Sequence, residues 1–187
     1  MLLFQLKLPA GEHKQGLTMP HITVCSLADL HKTVERVGAS HAVTLINGQT
    51  PVAAPVYDEN YLRLDFNDIA TEIPGLVAPA EAHVVRLLEF VKAWDRKAPM
   101  VIHCFAGISR STASAYIATL ALEPERDAFE LAAELRALSP SATPNPRLIA
   151  FADAILGRNG DMIAAIKGIG RGADAFQGEP FNIVLKR

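Results

Sequence analysis

The hydrophobic and polar positions of this chain follow two alternating periods, and these predict strands that alternate with helices. Short apolar runs rich in β-branched residues predict buried strands at residues 22–25, 42–46 and 100–103. The clearest amphipathic helix is predicted over residues 79–94, where apolar positions lie three or four apart: Val84, Leu87, Leu88, Val91 and Trp94. Further helices are expected at residues 27–37, 111–122, 125–138 and 146–156. This alternation implies an α/β fold, with a central, mostly parallel sheet flanked by helices on both faces.

The length of the chain is most simply explained by a single domain over residues 1–187. We expect its core to span about 20–156 and residues 157–187 to form a C-terminal extension. Within that extension, residues 168–173 superficially match the G-x-G-x-x-A fingerprint of dinucleotide sites. That fingerprint needs a preceding strand and an early βαβ unit, so we interpret the segment as a glycine-rich loop without a nucleotide.

Composition and charge exclude several classes of partner. Half of the residues are apolar and a fifth are charged, as in ordinary globular proteins, and the net charge of −2 argues against a nucleic-acid partner. No apolar run approaches the roughly 18 residues of a membrane span, so no membrane is expected as a partner. The first residues, Met-Leu-Leu-Phe-Gln-Leu-Lys, become charged too early for a signal peptide. Together with two widely separated cysteines, this predicts a cytoplasmic protein.

One segment, from His103 to Ser111, concentrates the chemistry that the sequence offers. It places Cys104 six residues before Arg110, between the predicted strand at 100–103 and the next helix. A tight loop between a strand and a helix start directs backbone N–H groups and the positive end of the helix dipole towards one anion. We therefore expect a phosphate to be bound by the six residues that follow the cysteine: Phe105, Ala106, Gly107, Ile108, Ser109 and Arg110.

The side chains of this segment suit nucleophilic attack on a phosphorus atom. The field of the loop favours the thiolate of Cys104, which is the nucleophilic form of a cysteine. The planar guanidinium of Arg110 can bind two phosphate oxygens at once, and Gly107 lets the backbone turn with positive φ. The hydroxyl of Ser111 could donate to the Cys104 sulfur and help it to leave. His103 either shapes the loop beneath the cysteine or is an ordinary core histidine, and we favour the supporting role.

The segment resembles the complete His-Cys-x5-Arg-Ser/Thr signature of cysteine-dependent phosphatases, and it is most similar to their compact dual-specificity-phosphatase-like branch, in a bacterial-type tyrosine phosphatase. The resemblance implies a phosphomonoester hydrolase, and in particular a protein tyrosine phosphatase, that forms a cysteinyl-phosphate on Cys104 without a metal or an organic cofactor. Its substrates would be phosphorylated proteins or small phosphomonoesters, and we expect it to be a monomer. Residues 139–145 are similar to the family's Pro-x-x-x-Pro-Asn segment. This implies that Asn145 braces the loop expected to bind the phosphate, residues 105–110, which we call the phosphate loop.

The resemblance further implies a general-acid aspartate on a mobile loop after the strand-like segment 61–66. Two aspartates are candidates, because both precede the signature in the chain order of this branch. Asp65 projects from the face of the strand opposite to its alternating apolar residues. Asp68 lies just beyond the strand, where a loop can carry it over the pocket. We favour Asp68 as the acid and keep Asp65 as the alternative.

Three alternatives stay open. One is a phosphoinositide or other non-protein phosphatase, although the signature loop has none of the lysines that relatives with multiply charged lipid substrates tend to carry. A second is a catalytically silent phosphate-binding module, although the cysteine, the arginine and an acid are all present. The third concerns Cys25, which we interpret as a core residue, with a regulatory disulfide to Cys104 as the minor alternative.

Overall fold

A five-stranded sheet forms the centre of the structure, a computed structural model that describes residues 19–56 and 58–186. The strands are β1 (His21–Ser26), β2 (His41–Ile46), β3 (Tyr61–Asp65), β4 (Met100–Cys104) and β5 (Phe181–Val184). They lie in the order β3-β2-β4-β1-β5. The first four are parallel to one another, and β5 pairs antiparallel with β1 at the edge. The predicted α/β fold with a mostly parallel sheet is therefore confirmed.

Helices cover both faces of this sheet. They are α1 (Leu30–Val37), α2 (Glu81–Ala93), α3 (Arg110–Leu122), α4 (Ala128–Leu138), α5 (Pro146–Ile155) and α6 (Asp161–Ile169), and a short 3₁₀ turn spans Asp58–Asn60. On one face α1 packs its Leu30 against Cys25 and Val101. The other five helices pack with the opposite face into one large core, which contains the fully buried side chains of Ile102 and Tyr116.

Most predicted elements are confirmed, with shifts at their ends that have local causes. The helix predicted over 125–138 begins at Ala128, because the carboxylate of Asp127 accepts from the backbone N–H groups of Phe129 and Glu130 and so caps it. The helix predicted from residue 111 begins one residue earlier, so that Arg110 lies in its first turn.

The C-terminal segment contains more regular structure than the sequence analysis predicts. Residues 161–169 form α6, which includes Gly168 of the predicted glycine-rich loop, and β5 follows after that loop. β5 has only four residues and pairs at an edge, so its periodicity is too short to be recognised. The start of the chain, considered above for a signal peptide, lies outside the described residues.

A buried ion-pair cluster ties β5 to the helical face. Arg126 pairs with Glu123 and Glu134, and its guanidinium also donates to the Val184 carbonyl. The backbone N–H of Lys186 donates to the same Glu123. Residues after α6 are thus packed against the domain. Within the described part of the chain, no helix has both the length and the hydropathy that crossing a bilayer requires.

The sheet topology brings the signature segment and the predicted acid to the carboxyl ends of the parallel strands. Because β1, β3 and β4 are parallel, their carboxyl ends meet on the same side of the sheet, which is where ligands bind in open α/β sheets. The signature segment follows β4, the loop with Asp68 follows β3, and the loop into α1 follows β1.

Candidate active site

The signature segment forms a tight loop between the end of β4 and the start of α3. Its turn depends on Gly107, whose φ of 74° lies in the left-handed region. A Cβ atom at this position would lie 2.9 Å from the carbonyl carbon of Cys25 and 2.9 Å from the backbone nitrogen of Ser26. Glycine is therefore required both by the conformation and by the close approach of the loop to the end of β1.

Cys104 lies at the bottom of this loop, with only 1% of its surface exposed. The backbone N–H of Gly107 donates to its Sγ atom over 3.3 Å, and the Ser111 hydroxyl lies 3.1 Å from the same sulfur. When the sulfur is a thiolate, the hydroxyl is the donor. These two donors and the N-terminus of α3 all stabilise negative charge on the sulfur.

Arg110 is a buried cation whose Nε is a buried donor without a hydrogen-bond partner among the described residues. Its Nη1 donates to the Phe66 carbonyl over 2.9 Å, which fixes the guanidinium beneath the loop after β3. Its Nε has no hydrogen-bond partner among the described residues and lies 3.8 Å from Oδ2 of Asp68. Leaving a buried charged donor unpaired is costly, so an oxyanion that enters the loop would gain this N–H at once. The guanidinium is thus oriented as an anion site requires.

The structure brings Asp68 to the signature loop and leaves Asp65 away from it. Oδ1 of Asp68 accepts from the Ser109 hydroxyl over 2.8 Å and from Nδ2 of Asn145 over 2.9 Å, while a third of the side chain stays exposed. Asp65 instead pairs with Arg63, over 2.8 Å, on the surface of β3. Of the two candidate acids, Asp68 is therefore the one that contacts the signature loop.

Asn145 connects Asp68 to α5 rather than holding the phosphate loop through its side chain. Its Oδ1 caps α5 by accepting from two backbone N–H groups, and its Nδ2 donates to Asp68 and to the Ile69 carbonyl. The loop itself is held by the backbone of this segment. Thr143 donates to the Ile108 carbonyl over 2.9 Å, and Asn145 donates to the Ser109 carbonyl over 3.4 Å.

A chain of hydrogen bonds lies behind the loop and fixes His103. The Tyr61 hydroxyl donates to Oγ1 of Thr44, which lies 2.7 Å from Nε2 of His103, and Nδ1 of His103 lies 3.3 Å from the Cys104 carbonyl. A carbonyl can only accept, so Nδ1 carries the proton and Nε2 accepts from Thr44. Burial lowers the pKa of His103 to about 4. The imidazole is therefore neutral and supports the backbone of the nucleophile.

Thr44 and Tyr61 are the residues of this network that the sequence analysis misses. They lie on two neighbouring strands, and only the parallel register of β2 with β3 and β4 brings them to His103. A buried threonine or a strand tyrosine is common in any sheet, so the sequence carries no signal for them.

The two cysteines lie on opposite faces of the sheet. Cys25 packs with Leu30 and Val101 on the α1 face, whereas Cys104 belongs to the core on the other face. Burial raises the pKa of the Cys25 thiol to about 12, so this thiol is inert at neutral pH. A disulfide between the two would require the strands to be rearranged. No group of three or more potential metal ligands occurs among the described residues.

Comparisons with known proteins agree with this geometry. Residues 74–154 match the family model of the protein-tyrosine phosphatase. The chain superposes on human DUSP28 with a TM-score of 0.56 at 20% identity, covering 74% of this chain and 89% of that one. For DUSP15 the TM-score is 0.55 at 17% identity, with 81% and 91% covered. For PTPMT1 in complex with PI(5)P it is 0.51 at 17% identity, with 74% and 94% covered. At these identities the likeness is one of fold, and no curated protein matches the chain.

The neutral, buried His103 makes the protein less stable in acid. The unfolded histidine takes up a proton near pH 6.5, whereas the native one resists protonation down to about pH 4. The contribution of His103 to the free energy of unfolding is therefore fully present above about pH 6.5. It is lost as the pH drops towards 4, which lowers the free energy of unfolding by up to about 3 kcal/mol. Urea unfolding at several pH values should show a flatter dependence in this window for His103→Gln. The control, His21→Gln, should keep the wild-type slope, and equal slopes for all three proteins would contradict this account.

Proposed function

We propose that the chain is a phosphatase of the protein-tyrosine phosphatase superfamily and that it removes phosphate from tyrosine residues of proteins through a cysteinyl-phosphate on Cys104. The match of residues 74–154 to the family model and the dual-specificity-phosphatase-like fold support this proposal. The observation that carries this proposal is the buried guanidinium of Arg110, whose Nε has no hydrogen-bond partner among the described residues and lies 3.8 Å from Oδ2 of Asp68. An anion bound to this Nε within the phosphate loop would also contact the Cys104 sulfur, which lies at the bottom of that loop.

In the first step, the phosphoryl group of the substrate is bound by the loop N–H groups and by Arg110. The thiolate of Cys104 attacks phosphorus, so that an S–P bond forms while the P–O bond to the leaving group breaks. Asp68 donates a proton to the departing oxygen. The contacts of Asp68 with Ser109 and Asn145 support this role, because they hold its carboxyl group at the rim of the loop.

In the second step, water attacks the phosphorus of the cysteinyl-phosphate, and the S–P bond breaks. Asp68, now a carboxylate, takes the proton of that water. The sulfur leaves as a thiolate, which accepts a hydrogen bond from the Ser111 hydroxyl at 3.1 Å and another from the N–H of Gly107. The enzyme returns to its starting state without a metal or an organic cofactor.

The side chains of the loop favour singly phosphorylated protein substrates. Phe105, Ala106, Ile108 and Ser109 carry no positive charge, so a polyanionic inositol phosphate would find no further cation within the loop. We therefore rank a phosphoinositide substrate second.

A cytoplasmic monomer of the bacterial type is part of the same proposal, and it accords with the chain's ordinary composition and small net charge.

The most direct assay uses p-nitrophenyl phosphate in the presence of a chelator. We expect hydrolysis without added metal, inhibition by vanadate, and a loss of at least about 10⁴-fold in Cys104→Ser. The Cys104→Ser protein should still bind vanadate or phosphate, because the N–H groups and Arg110 remain. A folded wild-type protein that binds phosphate but does not hydrolyse the ester would favour the silent binding module instead.

Replacement of the proposed acid should depend on the leaving group. Asp68→Asn keeps the hydrogen-bonding shape but removes the proton, so kcat for an alkyl phosphate or a phosphopeptide should fall by about 10²–10⁴-fold. Aryl phosphates with acidic leaving groups should lose much less, and the basic limb of the pH–rate profile should disappear. Asp65→Asn is the matched control and should behave as the wild type. If Asp65→Asn gives the larger, leaving-group-dependent loss, Asp65 is the acid.

A further inference from the structure

An apolar recess opens beside the phosphate loop, on the side away from Asp68. It has a volume of about 250 Å³ and is lined by six residues from three segments: Leu27, Ala28, Phe105, Ala106, Phe176 and Gln177. The sheet order fixes its side. Asp68 follows β3, two strands from β4 in one direction, whereas the loop with Leu27 follows β1, the neighbour of β4 in the other. The phosphate loop thus has a polar, acidic flank and an apolar flank.

The walls of this recess are held in place by backbone hydrogen bonds. The N–H of Leu27 donates to the Phe105 carbonyl over 3.0 Å, and the N–H of Gly178 donates to the Ala106 carbonyl over 2.8 Å. Glycine at residue 178 favours this close approach of the tail, since a Cβ there would lie 3.0 Å from the carbonyl oxygen of Gly107. The recess is therefore preformed by the β1–α1 loop, the phosphate loop and the C-terminal tail together.

Two aromatic side chains at this recess are left open to solvent. Phe105 is 59% exposed and Phe176 is 94% exposed, although each could bury a large apolar area. None of the six lining residues carries a charge. A polar or charged side chain that entered the recess would lose its hydration with little compensation, whereas an apolar one would be stabilised.

We propose that the recess binds one apolar side chain of a protein substrate, within about three residues of the phosphorylated tyrosine. This inference rests on the proposed function. Phe105 and Ala106 belong both to the phosphate loop and to the recess, so a substrate held by its phosphoryl group brings its neighbouring residues over the apolar flank. The volume suits a single side chain, because sites for drug-sized ligands begin at about 300 Å³. Phe176 determines this specificity from the tail.

The test measures kcat/KM for a set of phosphotyrosine peptides. One leucine is placed in turn at each of the three positions before and after phosphotyrosine, in a serine–glycine background that also serves as the parent peptide. For the wild type, the best leucine peptide should exceed the parent by about fivefold to tenfold, as partial burial of a leucine side chain predicts. In Phe176→Ala this ratio should fall to near one. Because the ratio is taken within each protein, it does not depend on the fraction that is folded.

The matched control is Phe129→Ala, which removes a half-exposed phenylalanine from α4, a helix that does not line the recess. This variant should keep the wild-type ratio. A wild-type ratio near one, or a ratio that survives in Phe176→Ala, would overturn the proposal while p-nitrophenyl phosphate is still hydrolysed. A protein that hydrolyses none of these substrates would instead contradict the proposed function itself.

Two other occupants are distinguished by physical measurements on the same proteins. If the recess is covered by a second copy of the chain, the wild type will sediment as a dimer and Phe176→Ala as a monomer. If it contacts a lipid surface, the wild type will co-sediment with vesicles of phosphatidylcholine and phosphatidylglycerol, and Phe176→Ala will not. Either result would overturn the proposal, whereas an unchanged monomer without vesicle binding supports it.

Discussion

The site depends on one buried cation, Arg110, whose Nε has no hydrogen-bond partner in the part of the chain that the structure describes. Arg110 uses Nη1 to hold the carbonyl of Phe66, and its Nε is left facing Asp68 at 3.8 Å. Such a group is stabilised when an oxyanion arrives, because the anion supplies both the charge and the acceptor that burial has removed. The same contact with Phe66 ties the anion site to the loop after β3, so anion binding and the position of Asp68 are parts of one arrangement.

The surrounding fold keeps this arrangement in register. Gly107 lets the loop pass over the end of β1, and the hydrogen-bond chain behind His103 fixes the backbone of the nucleophile. On the outer side, the C-terminal tail donates from Gly178 to the loop. The loop is therefore held from the strand below it and from the tail beside it. The tail also adds Phe176 to the flank of the site, which gives this chain a means of choosing among phosphorylated substrates.

The sequence was sufficient for the features that depend on local pattern. The strands and helices with clear periods, the spacing of Cys104 and Arg110, and the turn at Gly107 are all encoded within a few neighbouring residues. It was insufficient for contacts between distant segments that the family resemblance does not indicate. The partners of His103 come from two other strands, and β5 is too short to show a period. Asn145 could be predicted only in part. Its segment is recognisable from the sequence, but only the structure shows that its side chain contacts Asp68 while its backbone contacts the phosphate loop.

The proposed mechanism requires that Cys104 becomes covalently phosphorylated during turnover. Rapid mixing with a phosphotyrosine peptide, acid quenching within milliseconds and mass spectrometry of the digested protein would test it most directly. We expect a phosphorylated peptide that contains residues 103–111, with the modification on Cys104 and a yield that approaches one per protein molecule when the second step is slow. Phosphate on another residue, or rapid turnover with no covalent species under conditions where phosphocysteine survives, would contradict it.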